Sequence, residues 1–161
     1  MAKFGIGDSV RRVEDPRLLT GGGRYTDDTR LSQPAARLYV LRSPHAHADI
    51  KGIDTTAAKK APGVLLVLTG QDVRKAGFGD VPCLVPLDNR DGTPRADTSR
   101  PMLAIDRVRH VGDPVALVVA ETLEQAKDAA ELIAVDYDPL PAVVDTYAAA
   151  QQGAPQIWDH I

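Results

Sequence analysis

The stretch that decides the fold is residues 114–138, PVALVVAETLEQAKDAAELIAVDYD. It opens on Val115-Ala116-Leu117-Val118-Val119-Ala120, a near-continuous apolar run of strand length. Such a run predicts a strand covered on both faces, since a half-solvated strand alternates apolar with polar residues. Thr122-Leu123-Glu124-Gln125 then has capping-box spacing, in which the threonine hydroxyl and the glutamine side chain satisfy backbone amides that a first helical turn leaves orphaned. The helix so started runs to about Ile133. Leu123, Ala126, Ala130 and Ile133 recur at spacings of three and four, which places them on one stripe facing a core. Lys127 and Glu131 stand four apart on the outer side, at ion-pair spacing. Ala134 to Asp138 is a second strand, stopped by Pro139-Leu140-Pro141.

Working outward, residues 36–42 (ARLYVLR) read as a strand by their aromatic and β-branched content, and His47 to Ile53 as a weaker one. Asp54 or Thr55 caps a short helix that Pro62-Gly63 stops. Val64 to Leu68 reads as a buried strand, and Thr69-Gly70-Gln71-Asp72 starts another short helix. Residues 77–100 are rich in Gly, Pro, Asp and Arg and read as one long loop. Ala104 to His110 is a strand, and Gly112-Asp113-Pro114 a turn. Residues 1–34 read as an irregular arm around Gly21-Gly22-Gly23. Strands and helices in this order predict an α+β, mixed layer structure with short helices packed on a mixed β-sheet.

The composition bounds the function. The chain has 161 residues, a formal net charge of -3, one cysteine, seven aromatic residues, 13 Gly and 12 Pro. One domain with a core built from Val, Leu, Ile and Ala fits that length. The net charge argues against a nucleic-acid binder. No apolar run approaches the ~20 residues a membrane span needs, and the first residues lack the apolar stretch of a signal peptide. A cytoplasmic location is the resulting expectation. Cys83 alone makes no internal disulfide. Charge is unevenly spread: residues 1–75 carry thirteen Lys and Arg against eight Asp and Glu, and residues 76–161 six against fourteen. Such asymmetry marks either a docking surface or ordinary variation among solvated faces.

Several residues invite chemistry. Gly21-Gly22-Gly23 suits a phosphate cradle, but neither the dinucleotide fingerprint nor a P-loop surrounds it, which favours a tight turn. His45 and His47 on an extended segment point to one side and are able to meet one metal ion. A third ligand from His110, His160 or an aspartate is not fixed by any spacing, and packing or interface hydrogen bonds are the alternative. Cys83 is a nucleophile only if a histidine lies beside it, and otherwise a small apolar filler or surface thiol. Asp27-Asp28 reads as a solvated turn rather than a carboxylate dyad, and Arg11-Arg12 is too short for a nucleic-acid patch.

An ordered series of motifs is similar to one family. Arg12-Val13-Glu14-Asp15 with Leu18-Leu19-Thr20-Gly21-Gly22-Gly23-Arg24-Tyr25-Thr26-Asp27-Asp28 resembles the opening of the large subunit of molybdenum hydroxylases. Arg42-Ser43-Pro44-His45-Ala46-His47-Ala48 follows, then Ala61-Pro62-Gly63-Val64 and Leu68-Thr69-Gly70-Gln71-Asp72-Val73. Val108 to Ala120 is similar to the family's Gly-Glu-Pro-Val-Ala stretch, with Asp113 in place of the usual glutamate. Residues 126–143 and Gly153-Ala154-Pro155 resemble its exit. Within the xanthine dehydrogenase and aldehyde oxidase family the variant is nearer to carbon-monoxide-dehydrogenase and bacterial aldehyde-dehydrogenase large subunits than to the long fused xanthine enzymes.

The resemblance implies the a/b hammerhead domain over 35–145, after the arm at 1–34 and before a linker at 146–161 leading toward molybdopterin-binding domains. The parent reaction it implies is water-dependent oxidation or hydroxylation of an aldehyde, carbon monoxide or a heteroaromatic substrate. The parent complex carries molybdopterin cytosine dinucleotide, iron–sulfur clusters and FAD. Its partners are the molybdopterin-binding domains, the FAD subunit and the iron–sulfur subunit. No catalytic, cofactor-binding or metal-ligating residue carries over to this chain. Gly21, Gly23, Arg42, Pro44, His45, His47, Gly112 and Pro114 enter as structural motif residues. The expectation is therefore a non-catalytic module, met as an isolated domain or a truncated product. Two alternatives stand beside it: a stand-alone binding or assembly protein with the same fold, and an independent enzyme using His45, His47 and Cys83. Exposed apolar patches of a domain without its neighbours also make a homo-oligomer an expectation.

Overall fold

The computed structural model describes residues 11–29, 35–82, 84, 85, 87–96, 98 and 100–159. Cys83 and His160 lie outside them, as do residues 1–10 and 30–34 of the arm. The chain divides into two compact units, Met1–Ala35 and Ala36–Ile161.

The first unit holds a short helix, α1 (Asp15–Leu19), and a 3₁₀ turn over Thr26–Asp28, where the pattern predicts only irregular chain. Pro16 in the first turn presets a helical φ, and Asp15 and Arg17 sit at the ends that their charges favour. The Thr20 hydroxyl donates to the Pro16 carbonyl at 2.6 Å and closes the helix.

Among its described residues the second unit carries six strands: β1 (Arg37–Arg42), β2 (Ala48–Asp54), β3 (Val64–Thr69), β4 (Arg107–Val108), β5 (Pro114–Ala120) and β6 (Ala134–Pro139). A 3₁₀ turn at Ala58–Lys60 stands where a short helix is expected, and α2 (Gly70–Lys75), α3 (Leu123–Glu131) and α4 (Thr146–Ala149) complete it. The α+β class holds, but the strands form two sheets, ordered β1-β5-β3 and β4-β2-β6, and every pair is antiparallel. One mixed sheet does not arise because β5 and β6, joined by α3, enter different sheets and never become parallel neighbours.

The long apolar run forms the strand its pattern predicts, but it is covered fully on one face only: Ala116, Val118 and Ala120 are buried, whereas Leu117 and Val119 are half-buried. β5 is the central strand of its sheet, with Tyr39 and Val67 flanking Val118. Ala116, Val118 and Ala120 pack under Ala126, Ala129 and Ala130 of α3 in the larger core, while Val115 joins Ala48, Ala104 and Val108 in a second, smaller one. The side chains between this helix and β5 are small, alanines on α3 against Ala116, Val118 and Ala120. On the helical stripe, Ala126, Ala130 and Ile133 are buried as expected, Leu123 is exposed, and Ala129 joins them. Among the described residues no ion pair joins Lys127 to Glu131.

Two other expectations change. Val64 to Leu68 is an edge strand rather than a buried one, and an irregular register between Val64 and Leu66 leaves Leu65 and Leu66 exposed. The strand expected over Ala104 to His110 shrinks to Arg107–Val108, because the segment bends to bring both Ala104 and Val108 into the second core. Described residues of the 77–100 stretch form neither helix nor strand.

The capping box at the start of α3 forms in full. The Thr122 amide donates to Gln125 Oε1 at 3.0 Å, and the Gln125 amide donates to Thr122 Oγ1 at 3.2 Å. Thr122→Ala is expected to lower stability by about 1 kcal/mol, read as a reduced urea midpoint with an unchanged slope.

Candidate functional site

The chain leaves β1 through Arg42-Ser43-Pro44-His45-Ala46-His47. A register irregularity at Leu41/Arg42 loosens the ladder, and Pro44 offers no amide to continue it. The segment turns against the His110–Asp113 corner instead. The Ser43 amide donates to the Asp113 carbonyl at 2.9 Å, and the Gly112 amide donates to the Ser43 carbonyl at 2.8 Å. Arg42 Nη1 donates to the Gly112 carbonyl at 2.9 Å. Gly112 has φ +88°, a left-handed conformation that side-chain-bearing residues rarely adopt. Pro114 follows as the first residue of β5, and its carbonyl accepts the Ala104 amide at 2.7 Å.

Fold topology thus gathers Arg42, Pro44, His45, His47, Gly112 and Pro114, from motifs some 70 residues apart, into one corner of the second unit. Gly21 (φ +76°) and Gly23 belong to the first unit, where Gly23 lies so close to Leu18 that a Cβ would stand 2.8 Å from its Cδ2.

His45 and His47 are not on extended chain; both lie in the bend before β2. The His45 amide donates to Ser43 Oγ at 3.0 Å, the Ser43 hydroxyl donates to the His45 carbonyl at 3.1 Å, and the His45 ring packs on Tyr137 at 4.8 Å between centroids. Burial raises the Tyr137 phenol above its ordinary value; the nearby Ser43 hydroxyl opposes that shift and Asp113 adds to it. His47 is buried and donates from Nδ1 to the Pro141 carbonyl at 2.8 Å, and its own carbonyl accepts the Leu140 amide at 2.9 Å. A carbonyl only accepts, so Nδ1 carries a proton. His47 Nε2 is buried with no hydrogen-bond partner among the described residues.

A second polar cluster adjoins this corner. Arg107 is held by Asp49 (2.6 Å) and by Asp159 (2.9 Å), and Arg109 lies over the Trp158 ring at 4.0 Å. Asp113 Oδ2 accepts the Arg109 amide at 2.9 Å and lies 3.7 Å from His110 Nδ1. A cleft of about 220 Å³ opens among Arg100, Arg107, Arg109, His110, Asp113 and Trp158. Of the carboxylates, Asp113 lines the cleft, while Asp49 and Asp159 pair with Arg107 beside it. Trp158 and Asp159 come from the stretch expected to be a linker.

The Arg107 guanidinium holds the Asp49 carboxyl below its ordinary 3.8. Hydrogen bonds from the hydroxyl and amide of Thr69 do the same for Asp72, which closes the capping box of α2. A carboxyl depressed on folding contributes stability above 3.8, and that contribution is lost as pH falls through the folded value. Acid unfolding should therefore steepen below 3.8. Asp49→Asn is expected to cost about 1 kcal/mol at neutral pH and to flatten the acid limb, checked by urea midpoints from neutral pH to about pH 2.5.

Among the described residues no group of three or more His, Cys, Asp or Glu side chains is placed to hold a metal ion. Among the described residues His47 Nε2 is the one buried side-chain nitrogen without a hydrogen bond, a single lone pair. Cys83 and His160 lie outside the described residues. No helix among the described residues is long and apolar enough to cross a membrane. The contacts that sequence reasoning missed, His45–Tyr137, His47–Pro141, Arg107–Asp49 and Arg109–Trp158, join residues 49 to 94 positions apart, and no local pattern announces them.

A small α+β unit of two antiparallel sheets, with Arg42, Ser43 and Gly112 clasped at one corner, defines the class of domain. The family described as "Aldehyde oxidase and xanthine dehydrogenase, a/b hammerhead domain" matches residues 20–141, and the chain belongs to it. The chain is 41% identical over 148 residues to the nicotine 6-hydroxylase large subunit of Paenarthrobacter nicotinovorans, covering 92% of this chain and 17% of that protein. It is 40% identical over 157 residues to the carbon monoxide dehydrogenase large chain of Afipia carboxidovorans, covering 98% of this chain and 18% of that one. Among solved structures it is similar to quinoline 2-oxidoreductase from Pseudomonas putida 86, with TM-score 0.78 and 42% identity over 95% of this chain and 19% of that chain. It spans under a fifth of the length of each of these relatives. They are large subunits and oxidoreductases of the molybdenum hydroxylase family, and the a/b hammerhead reading of the sequence stands.

Proposed function

We propose that this chain is a non-catalytic structural module of a molybdenum hydroxylase large subunit. Its parent activity is then the water-dependent oxidation or hydroxylation of an aldehyde, carbon monoxide or heteroaromatic substrate. The molybdopterin cytosine dinucleotide, iron–sulfur clusters and FAD belong to the parent complex, and the partners are its molybdopterin-binding domains, FAD subunit and iron–sulfur subunit, in the cytoplasm. One observation carries the reading. Three side-chain groups of the family motif are engaged by the chain's own backbone: Arg42 Nη1 on the Gly112 carbonyl, the Ser43 hydroxyl on the His45 carbonyl and His47 Nδ1 on the Pro141 carbonyl. Side chains so engaged hold a corner together and are not poised for proton or group transfer. Gly21, Gly23, Pro44 and Pro114 join them as residues of backbone geometry.

The test is direct. The purified chain is assayed for bound metal and for aldehyde- and CO-oxidising turnover with an artificial electron acceptor. No stoichiometric molybdenum or zinc and no turnover are expected; either one, in stoichiometric or catalytic amount, overturns the reading.

A further inference from the structure

The sheet β1-β5-β3 is apolar on both faces, and the fold covers only one of them along most of its length. Cross-strand neighbours share a face of a sheet. The register therefore puts Leu38, Val119 and Leu66 in one row, and Val40, Leu117 and Leu68 in the next, on the side opposite α3. An antiparallel sheet with one solvated face alternates apolar with polar residues; these strands place leucine and valine at all six positions. The smaller core covers this side only near Val115. At the other end Leu38 is 54% exposed and Leu66 46%, values typical of surface side chains for residues that elsewhere in a domain fill a core. A contiguous apolar face of this kind marks an interaction surface.

Resting on the structural-module reading, we infer that this face docks the remainder of a molybdenum hydroxylase large subunit, through an apolar surface on that polypeptide. The comparisons supply the occupant. In relatives about 40% identical, the matching stretch is 17–18% of the chain, and in a solved structure of the same fold it is 19%. Over four-fifths of each such polypeptide thus lies outside this stretch, covalently joined to it and held at high effective concentration. A second copy of this chain has no such advantage, and no charge on the face selects an acidic or basic partner.

The experiment is a chimera in which this whole chain replaces the matching stretch of the Afipia carboxidovorans carbon monoxide dehydrogenase large chain. Soluble, molybdenum-loaded large subunit is quantified. Leu38→Glu/Leu66→Glu is expected to lower its yield by about tenfold or more. Leu132→Glu, at an exposed leucine that ends α3 away from this face, should stay within about twofold. In the isolated chain the double variant should keep the wild-type circular-dichroism spectrum and melting profile, which separates lost docking from lost folding. If the chimera assembles and tolerates the double variant as well as Leu132→Glu, the docking face is wrong while the module reading stands. If the unmodified chimera fails to assemble, the module reading fails and the docking face with it. If ultracentrifugation of the isolated chain shows a tight dimer that the double variant dissolves, the occupant is a second copy and the inference is overturned.

Discussion

Val118→Asp is expected to leave the second unit unfolded at room temperature. Val118 is fully buried at the centre of β5, between Tyr39 and Val67 and under the alanine face of α3. No positively charged side chain belongs to that core. A carboxylate there loses its hydration without a partner, and a protonated carboxyl still buries unpaired polar atoms; either way the cost is several kcal/mol. A domain of this size has only about 5–15 kcal/mol in reserve. The milder Val118→Ala removes two methyl groups and is expected to cost about 2 kcal/mol while keeping the fold. Circular dichroism and urea titration read both. A cooperative, wild-type-like transition in Val118→Asp would mean that β5 is not the central strand.

Gly70→Ala has the second-largest expected effect. Gly70 is buried at the start of α2, and a Cβ there would stand 2.5 Å from the Ala104 carbonyl oxygen and 2.7 Å from that of Leu103. Both obstacles are backbone, so no rotamer change relieves them. The chain would have to part α2 from the segment that feeds Ala104 into the second core. Overpacking of this kind costs about 3 kcal/mol, against the few tenths that alanine ordinarily gains over glycine through lower unfolded-state entropy. Gly52→Ala is the control: nothing lies within 4 Å of its Cβ position, and a change of about 0.5 kcal/mol or less is expected. Equal urea midpoints for the two variants would rule out the close approach of residues 70 and 103–104.

How far such features were legible depends on the range over which each residue acts. The Thr122–Gln125 box is complete within four residues, so its hydrogen bonds are readable from spacing. The run at 115–120 announces a strand apolar on both faces, since it shows no alternation, but not that only the α3 side is fully covered within this chain. The stripe on α3 was readable only in part. A helix face wider than the predicted stripe lets Ala129 in, and Leu123, at the first turn, is exposed. β3 has the composition of a buried strand, yet its place at the sheet edge is set by which strand pairs with β5, a contact some fifty residues away. In the candidate site, the His45 and His47 spacing suggested a shared side on extended chain. Pro44 and the clasp between Ser43 and the 112–113 corner bend that segment, sending one ring to Tyr137 and the other to the Pro141 carbonyl.

By itself the sequence determined the α+β class, the a/b hammerhead resemblance, the position of the central strand and the cap of its following helix. These rest on local spacing and on an ordered series of motifs, which survive without knowledge of any long-range contact. Only the tertiary structure decided that the strands split into two antiparallel sheets, that the motif residues close on backbone carbonyls, and that one sheet face is left apolar and open. Those outcomes depend on pairing between segments far apart in the chain. A continuous apolar run says that a strand has two apolar faces, but only the packed fold says which of them already has a neighbour.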